Sequence, residues 1–85
     1  MNITDIIKDR LKNSANDVDW TKFSDDDSLW NEGVLDSIGM IELISFIEKE
    51  FNIKVENDDL TPDNFDSINR ISGYISLKNI DKSKE

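Results

Sequence analysis

Residues 32–43 place a single serine, Ser37, after a glycine-containing turn and before a strongly apolar helical segment. The pattern predicts that a helix begins at this serine, because Ser and Asp are favoured where free backbone amides need partners. Such a serine either caps the helix or, held outward, offers its hydroxyl to another protein. The tripeptide Asp-Ser-Ile recurs at residues 66–68, so the tripeptide alone does not identify a site.

Helical spacing of apolar residues predicts an all-α fold, a small four-helix bundle of three main helices and one short helix. Asn2 and Asp5 resemble an N-terminal cap for the first helix. Thr61 followed by Pro62 is typical of a cap and a first helical position, and opens the short helix. The predicted helices cover residues 3–13, 37–51, 62–65 and a last segment that starts at 66–67. The domain is expected to span residues 1–80, with a frayed tail at 81–85.

A long polar connection, residues 14–36, separates the first two helices. Because structureless loops of this length are uncommon in compact domains, we expect large apolar side chains to anchor it to the core. The expected anchors are Trp20, Phe23, Leu29, Trp30, Val34 and Leu35. Both tryptophans are predicted to be packing residues. Alternating apolar residues at Phe51, Ile53 and Val55 predict an extended connection against the core, since no partner strand is visible.

The chain contains neither cysteine nor histidine. The absence of cysteine excludes disulfides and thiolate metal sites, so packing alone must stabilise the fold. The absence of histidine removes the commonest general base and the usual activator of a nucleophilic serine. An independent hydrolase is therefore not expected, and no metal site is predicted.

The formal net charge is −9, with 19 acidic and 10 basic residues. Such a surface repels phosphate backbones and anionic membranes, which argues against nucleic-acid or lipid-surface binding. It favours protein partners that carry basic patches. No apolar run is long enough to span a bilayer and no signal peptide is evident, so the expected location is the cytoplasm.

The two serines of the repeated tripeptide have different surroundings. Ser67 follows a short link between two predicted helices, and helix capping explains it fully. Around Ser37, the second helix carries more apolar residues than one buried stripe needs, so some of Ile38, Met40 and Ile41 should remain near the surface. An exposed serine beside a mixed apolar and acidic surface, without a base, suits modification by another enzyme better than catalysis.

The run Gly33-Val34-Leu35-Asp36-Ser37-Ile38, with Glu42-Leu43 downstream and Phe51-x-Ile53 at the helix end, resembles the family of acyl, peptidyl and D-alanyl carrier proteins. The resemblance covers nearly the whole chain. It implies that Ser37 receives 4′-phosphopantetheine, derived from coenzyme A, from a phosphopantetheinyl transferase. Acyl or aminoacyl groups would then be carried as thioesters on the thiol of this arm, which fits a chain without cysteine.

The resemblance also implies roles for the neighbours of Ser37. Asp36 would cap the helix and present a carboxylate to the transferase. Ile38, Met40 and Ile41 would form an apolar contact beside the arm, and Glu42 would pair with a partner's Arg or Lys. A solvated helix face explains Glu42 equally well. The expected partners are the transferase, an acyl- or aminoacyl-loading ligase and downstream acyl-processing enzymes, acting on a non-catalytic monomer.

One position departs from part of the family. Carriers of fatty-acid synthesis commonly have an acidic residue two places after the serine, and this chain has Gly39. The string Glu-Gly-Val-Leu-Asp-Ser-Ile-Gly looks closer to D-alanyl carriers and to discrete carriers of peptide or polyketide pathways. This departure argues against a housekeeping role in fatty-acid synthesis.

Two other functions compete with the carrier hypothesis. An acidic helical adaptor would bind basic partners and never be modified. Calcium binding through Asp25, Asp26 and Asp27 is a weaker alternative, because the run lacks alternating ligands and a glycine at the turn position.

Overall fold

The computed structural model describes residues 2–15 and 18–83, with the last four of these as backbone only. Four α-helices form a small bundle, as the sequence predicts: α1 (Ile3–Ser14), α2 (Ser37–Phe51), α3 (Pro62–Phe65) and α4 (Ile68–Ser83). The described residues contain no β-strand. No helix among them is long and apolar enough to cross a membrane.

The helix boundaries follow the sequence signals, except that the side chain of Thr61, the predicted cap of α3, makes no capping hydrogen bond. The Asn2 side chain accepts a hydrogen bond from the Asp5 amide at 2.9 Å, which confirms the predicted cap of α1. Helix α2 has the predicted bounds, and the residue that follows it, Asn52, has a left-handed φ of 52°. The backbone of helix α4 continues to Ser83, three residues into the segment predicted as a frayed tail. Residues 84–85 of that tail lie outside the described residues.

One core joins all four helices and the connections between them. Helices α1 and α3 both pack against α4. Leu43 and Ile47 form the buried stripe of α2. The buried apolar residues are Ile7, Leu11, Leu29, Leu35, Leu43, Ile47, Val55, Phe65, Ile68, Ile71, Tyr74 and Ile75.

The long connection after α1 is anchored to the core by most of the predicted residues. Leu29 is fully buried and Leu35 is nearly so, while Trp20, Phe23 and Val34 pack partly against the core. The prediction that both tryptophans are packing residues is wrong for Trp30, which is 41% exposed. Its neighbour Leu29 occupies the core position in this turn, which leaves Trp30 on the outer side.

The segment between α2 and α3 contains a 3₁₀ turn, Asn57–Asp59, that the sequence did not predict. Before it, Val55 is buried, and its amide donates to Glu48 Oε2 at 3.0 Å. Glu48 therefore helps to hold the extended connection against α2.

A polar contact holds the 3₁₀ turn against α4. The Tyr74 hydroxyl donates to Asp59 Oδ2 at 2.6 Å, and Lys78 Nζ lies 3.6 Å from the same oxygen. Burial raises the pKa of Tyr74, and the hydrogen bond to Asp59 and the charge of that carboxylate raise it further. The Tyr74 ring also packs against Phe65 of α3, with ring centroids 5.0 Å apart.

Candidate functional site

Ser37 is the first residue of α2, and the preceding aspartate caps the helix in its place. Asp36 has extended backbone geometry (φ −120°, ψ −173°), and its Oδ1 accepts the Gly39 amide at 2.6 Å. This is the capping role expected of Asp36. Ser37 itself is exposed, and its hydroxyl makes no hydrogen bond to any residue that the structure describes.

The local structure explains why residue 39 is a glycine. A Cβ at this position would lie 3.2 Å from Asp36 Oδ1 and 3.4 Å from Leu35 Cδ2. The first of these distances is tighter than ordinary van der Waals contact. The absence of a side chain at residue 39 lets the capping carboxylate approach the helix closely.

The turn before the site, residues 28–35, has a defined geometry. The Leu29 carbonyl accepts hydrogen bonds from the Val34 amide at 2.9 Å and the Leu35 amide at 3.2 Å. Gly33 has a φ of +75°, a backbone conformation that side chains disfavour. Since Leu35 is buried, the chain enters Asp36 from an anchored position.

An apolar face surrounds Ser37. Ile38 is 69% exposed and Ile41 is 67% exposed, whereas Met40 is half-buried. This agrees with the expectation that part of this trio stays near the surface. Trp30 and Leu60, which is 45% exposed, extend the apolar surface across the neighbouring segments. These five residues are called the apolar face below.

A groove of about 120 Å³ lies within the apolar face. It is lined by Trp30, Met40, Leu60, Thr61, Pro62 and Phe65. Sequence reasoning missed Trp30 and Leu60 as surface residues, because a large apolar residue in a small domain is more often buried. The acidic residues around Trp30 were the available signal that its segment lies at the surface.

A second cavity, of about 260 Å³, lies on the other side of the start of α2, between α1 and α2. Asp36, Ile38 and Glu42 line it together with Arg10, which the sequence did not single out. The Arg10 guanidinium lies 5.2 Å from the centroid of the Phe46 ring, a cation–π distance. Glu42 is exposed at the edge of this cavity.

The acidic run that was weighed as a calcium site is occupied by protein contacts. Lys8 Nζ lies 2.7 Å from Asp25 Oδ1, and the Asn69 amide side chain donates to Asp26 Oδ1 at 2.7 Å. Asp27 Oδ2 accepts the Ser24 amide at 2.8 Å. In residues 2–15 and 18–79, no cluster of acidic side chains is arranged to hold a metal ion.

The second Asp-Ser-Ile copy differs from the first. Ser67 is 3% exposed, and its Oγ accepts the Arg70 amide at 3.1 Å, so it caps α4 as predicted. The Asp66 carboxylate accepts a hydrogen bond from the Ser28 hydroxyl instead, at 2.7 Å. The fold and the site together define a small helical bundle that presents the exposed Ser37 hydroxyl at the start of α2, in a chain without histidine.

Comparison with known proteins agrees with this description. The family model "Phosphopantetheine attachment site" matches residues 2–75, which include both Asp-Ser-Ile copies. The chain therefore belongs to the phosphopantetheine attachment-site family of carrier proteins, as the resemblance implied. Carriers of this family are non-catalytic, and 4′-phosphopantetheine is their prosthetic group.

Partial similarity extends to D-alanyl carrier proteins. Those of Streptococcus pyogenes serotype M5 (strain Manfredo), serotype M49 (strain NZ131) and serotype M1 are each 41% identical over 46 residues. The matched segment covers 54% of this chain and 58% of each relative. The chain thus spans somewhat over half the length of these curated relatives.

Proposed function

We propose that Ser37 is the residue that carries 4′-phosphopantetheine, and that the protein holds acyl or aminoacyl groups as thioesters on this arm and delivers them to partner enzymes. One observation carries the proposal. Asp36 supplies the cap of α2, so the Ser37 hydroxyl is exposed and unused, whereas the Ser67 hydroxyl is buried and used.

The residues around Ser37 fit the chemistry of attachment. The Ser37 Oγ–phosphorus bond forms as the pyrophosphate bond of coenzyme A breaks and 3′,5′-ADP leaves. Because the chain has no histidine, the hydroxyl proton passes to a base of the transferase. The new phosphodiester is negative, and the free amides at the start of α2 favour a negative charge there.

The apolar face is the proposed docking surface for the transferase, a loading ligase and the downstream enzymes. Ile38, Met40 and Ile41 would contact these partners beside the arm. Asp36 and Glu42 add two exposed carboxylates at the same helix start, which suits partners with Arg or Lys at the rim of their sites. A monomer in the cytoplasm, meeting each enzyme in turn, is the simplest working arrangement.

The partial match to D-alanyl carriers makes D-alanine the first cargo to test. The match supports an aminoacyl cargo, and Gly39, in place of the acidic residue common in fatty-acid carriers, points the same way. Incubation of the arm-bearing protein with ATP, D-alanine and a D-alanine-activating ligase should add one alanyl group. A fatty-acyl group loaded in preference to D-alanine would overturn this choice of cargo.

The attachment residue is tested by intact mass. Purified protein is incubated with coenzyme A and a broad-specificity phosphopantetheinyl transferase, and a gain of about 340 Da is expected, the mass of one arm. Ser37→Ala should gain nothing, and the matched control Ser67→Ala should still gain one arm. A wild type that several transferases leave unmodified, or Ser37→Ala that is still modified, would refute the proposal and favour an unmodified adaptor.

A further inference from the structure

Asp66 lies at the junction of α3 and α4 and binds the distant loop that leads to Ser37. Its Oδ1 accepts a hydrogen bond from the Ser28 hydroxyl at 2.7 Å, across 38 positions of the sequence. Its carbonyl oxygen accepts the Leu29 amide, also at 2.7 Å. A longer contact of 3.5 Å joins the Trp30 amide to the same carboxylate oxygen. These contacts are called the Asp66 link below.

The capping of α4 does not require the Asp66 carboxylate. Ser67 Oγ accepts the Arg70 amide, and Ser67 O accepts the Ile71 amide at 3.0 Å. Asp66 has right-handed helical geometry (φ −86°, ψ −7°) at the end of α3, whereas a capping residue is extended. Its side chain is therefore available for contacts across the molecule.

The Asp66 link continues through the 28–35 turn to the start of α2. Leu29, held by Asp66, accepts the Val34 and Leu35 amides on its own carbonyl. The Ser28 hydroxyl accepts the Asn31 amide at 3.1 Å while it donates to Asp66. Leu35 is buried and directly precedes Asp36, the cap that leaves Ser37 exposed. Hydrogen bonds thus connect Asp66 of the second Asp-Ser-Ile copy to Leu35, the residue directly before the first copy.

We propose that Asp66 is a positioning residue for Ser37: through Ser28 and Leu29 it fixes the 28–35 turn, and with it the cap and first turn of α2. This inference rests on the proposed attachment at Ser37. A transferase must align the Ser37 hydroxyl with phosphorus, and a displacement of about 1 Å can cost up to about 100-fold in rate. A loosened turn affects that alignment without removing any residue of the apolar face.

The kinetic test compares Asp66→Ala with wild type as substrates of one transferase. Asp66→Ala should be modified with a kcat about tenfold lower, as expected for the loss of a hydrogen bond to a charged acceptor. Its KM should change less than its kcat, because Trp30 is the one residue of the apolar face that lies in the 28–35 turn. If Asp66→Ala acted only by unfolding part of the protein, the rate would fall in proportion to the folded fraction measured by circular dichroism, which would contradict positioning.

Three further variants separate positioning from stability. Asp66→Asn keeps an acceptor oxygen for Ser28 and should recover most of the rate. Ser28→Ala removes the hydroxyl that donates to Asp66 and should also slow modification. The double variant Ser28→Ala/Asp66→Ala should be no slower than Asp66→Ala alone, because both changes break the same hydrogen bond. If Asp66→Ala does not fold, Ser28→Ala provides the test. Asn69→Ala is the matched control, because Asn69 contacts residues 25 and 26, upstream of the turn. It should be modified at the wild-type rate.

Amide hydrogen exchange tests the link without any transferase. In Asp66→Ala the Val34 and Leu35 amides should exchange faster, while the amides of Ile47 and Ile71 in the core stay protected. A folded Asp66→Ala with wild-type kcat and unchanged exchange at Val34 and Leu35 would overturn the inference. If the Val34 and Leu35 amides exchange faster in Asp66→Ala but transferases do not modify the wild type, the Asp66 link is upheld and only the proposed function is refuted.

Discussion

The two Asp-Ser-Ile copies share a sequence and differ by one residue in register. At residues 36–38 the aspartate is the cap and the serine is the first helical residue. At residues 66–68 the serine caps and the isoleucine is the first helical residue. The shift leaves Ser37 exposed and Ser67 at 3% exposure, and it leaves Ile38 69% exposed and Ile68 fully buried.

The difference arises from what precedes each copy. Asp36 follows an extended approach from Leu35, so its backbone can adopt the geometry of a cap. Asp66 directly follows α3, and its amide donates to the Pro62 carbonyl, which holds it in helical geometry. The cap of α4 therefore falls on the next residue. A local tripeptide does not decide whether a hydroxyl is free, because the backbone before it sets the register.

The isoleucines should show the largest contrast. Ile68→Ala removes a fully buried side chain and should lower the free energy of unfolding by about 2–5 kcal/mol. Ile38→Ala removes a mostly exposed side chain and should change it by less than about 0.5 kcal/mol. Urea denaturation of both variants checks this. Equal losses would contradict the difference in register between the two copies.

The serines should show a smaller contrast in stability. Ser67→Ala loses the cap of α4 and should cost about 1 kcal/mol. Ser37→Ala, on the first helical residue with no hydrogen bond among the described residues, should cost close to zero. The same denaturation series measures both. For attachment we expect the opposite order, with Ser37→Ala inactive and Ser67→Ala still modified. A costly Ser37→Ala would show that its hydroxyl has a structural role.

The stability of the region near the second copy should also depend on pH, with a smaller effect than that of the serine substitutions. Tyr74, which packs on Phe65, has its pKa raised above the ordinary value of 10.0, first by burial and then by Asp59. Above pH 10 the unfolded chain loses the tyrosine proton while the folded chain retains it, so stability falls as pH rises. Tyr74→Phe should show a shallower decline than wild type between pH 9.5 and 11, by denaturation at each pH. Parallel curves would contradict the assigned cause.

Local signals in the sequence were sufficient to predict the helices and an exposed serine, Ser37, at the start of α2. Caps at Asn2 and Ser67, proline at residue 62 and helical apolar spacing predicted the helices, since each acts within a few residues. The role of Asp66 was not predictable, because its partner Ser28 lies 38 positions away. Trp30 was misassigned for a related reason: whether it or Leu29 faces the core depends on how the turn packs in three dimensions.

Two side chains near the start of α2 could likewise not be predicted from the sequence. Arg10 on α1 and Leu60 before α3 approach the start of α2 only in the folded chain. Nothing in their own sequence neighbourhood marks them. At position 39, glycine replaces the acidic residue that is common in fatty-acid carriers. Only the folded structure shows that the capping carboxylate of Asp36 lies close to this glycine.

The central claim, that Ser37 and not Ser67 is the attachment residue, is tested most directly by locating the arm in modified wild-type protein. Trypsin cuts after Lys22, Lys49, Lys54 and Arg70, which places Ser37 in peptide 23–49 and Ser67 in peptide 55–70. The added mass of about 340 Da should appear only in peptide 23–49, and fragmentation should assign it to Ser37 rather than to Ser24, Ser28 or Ser45. The arm on peptide 55–70, or on another serine of peptide 23–49, would contradict the claim.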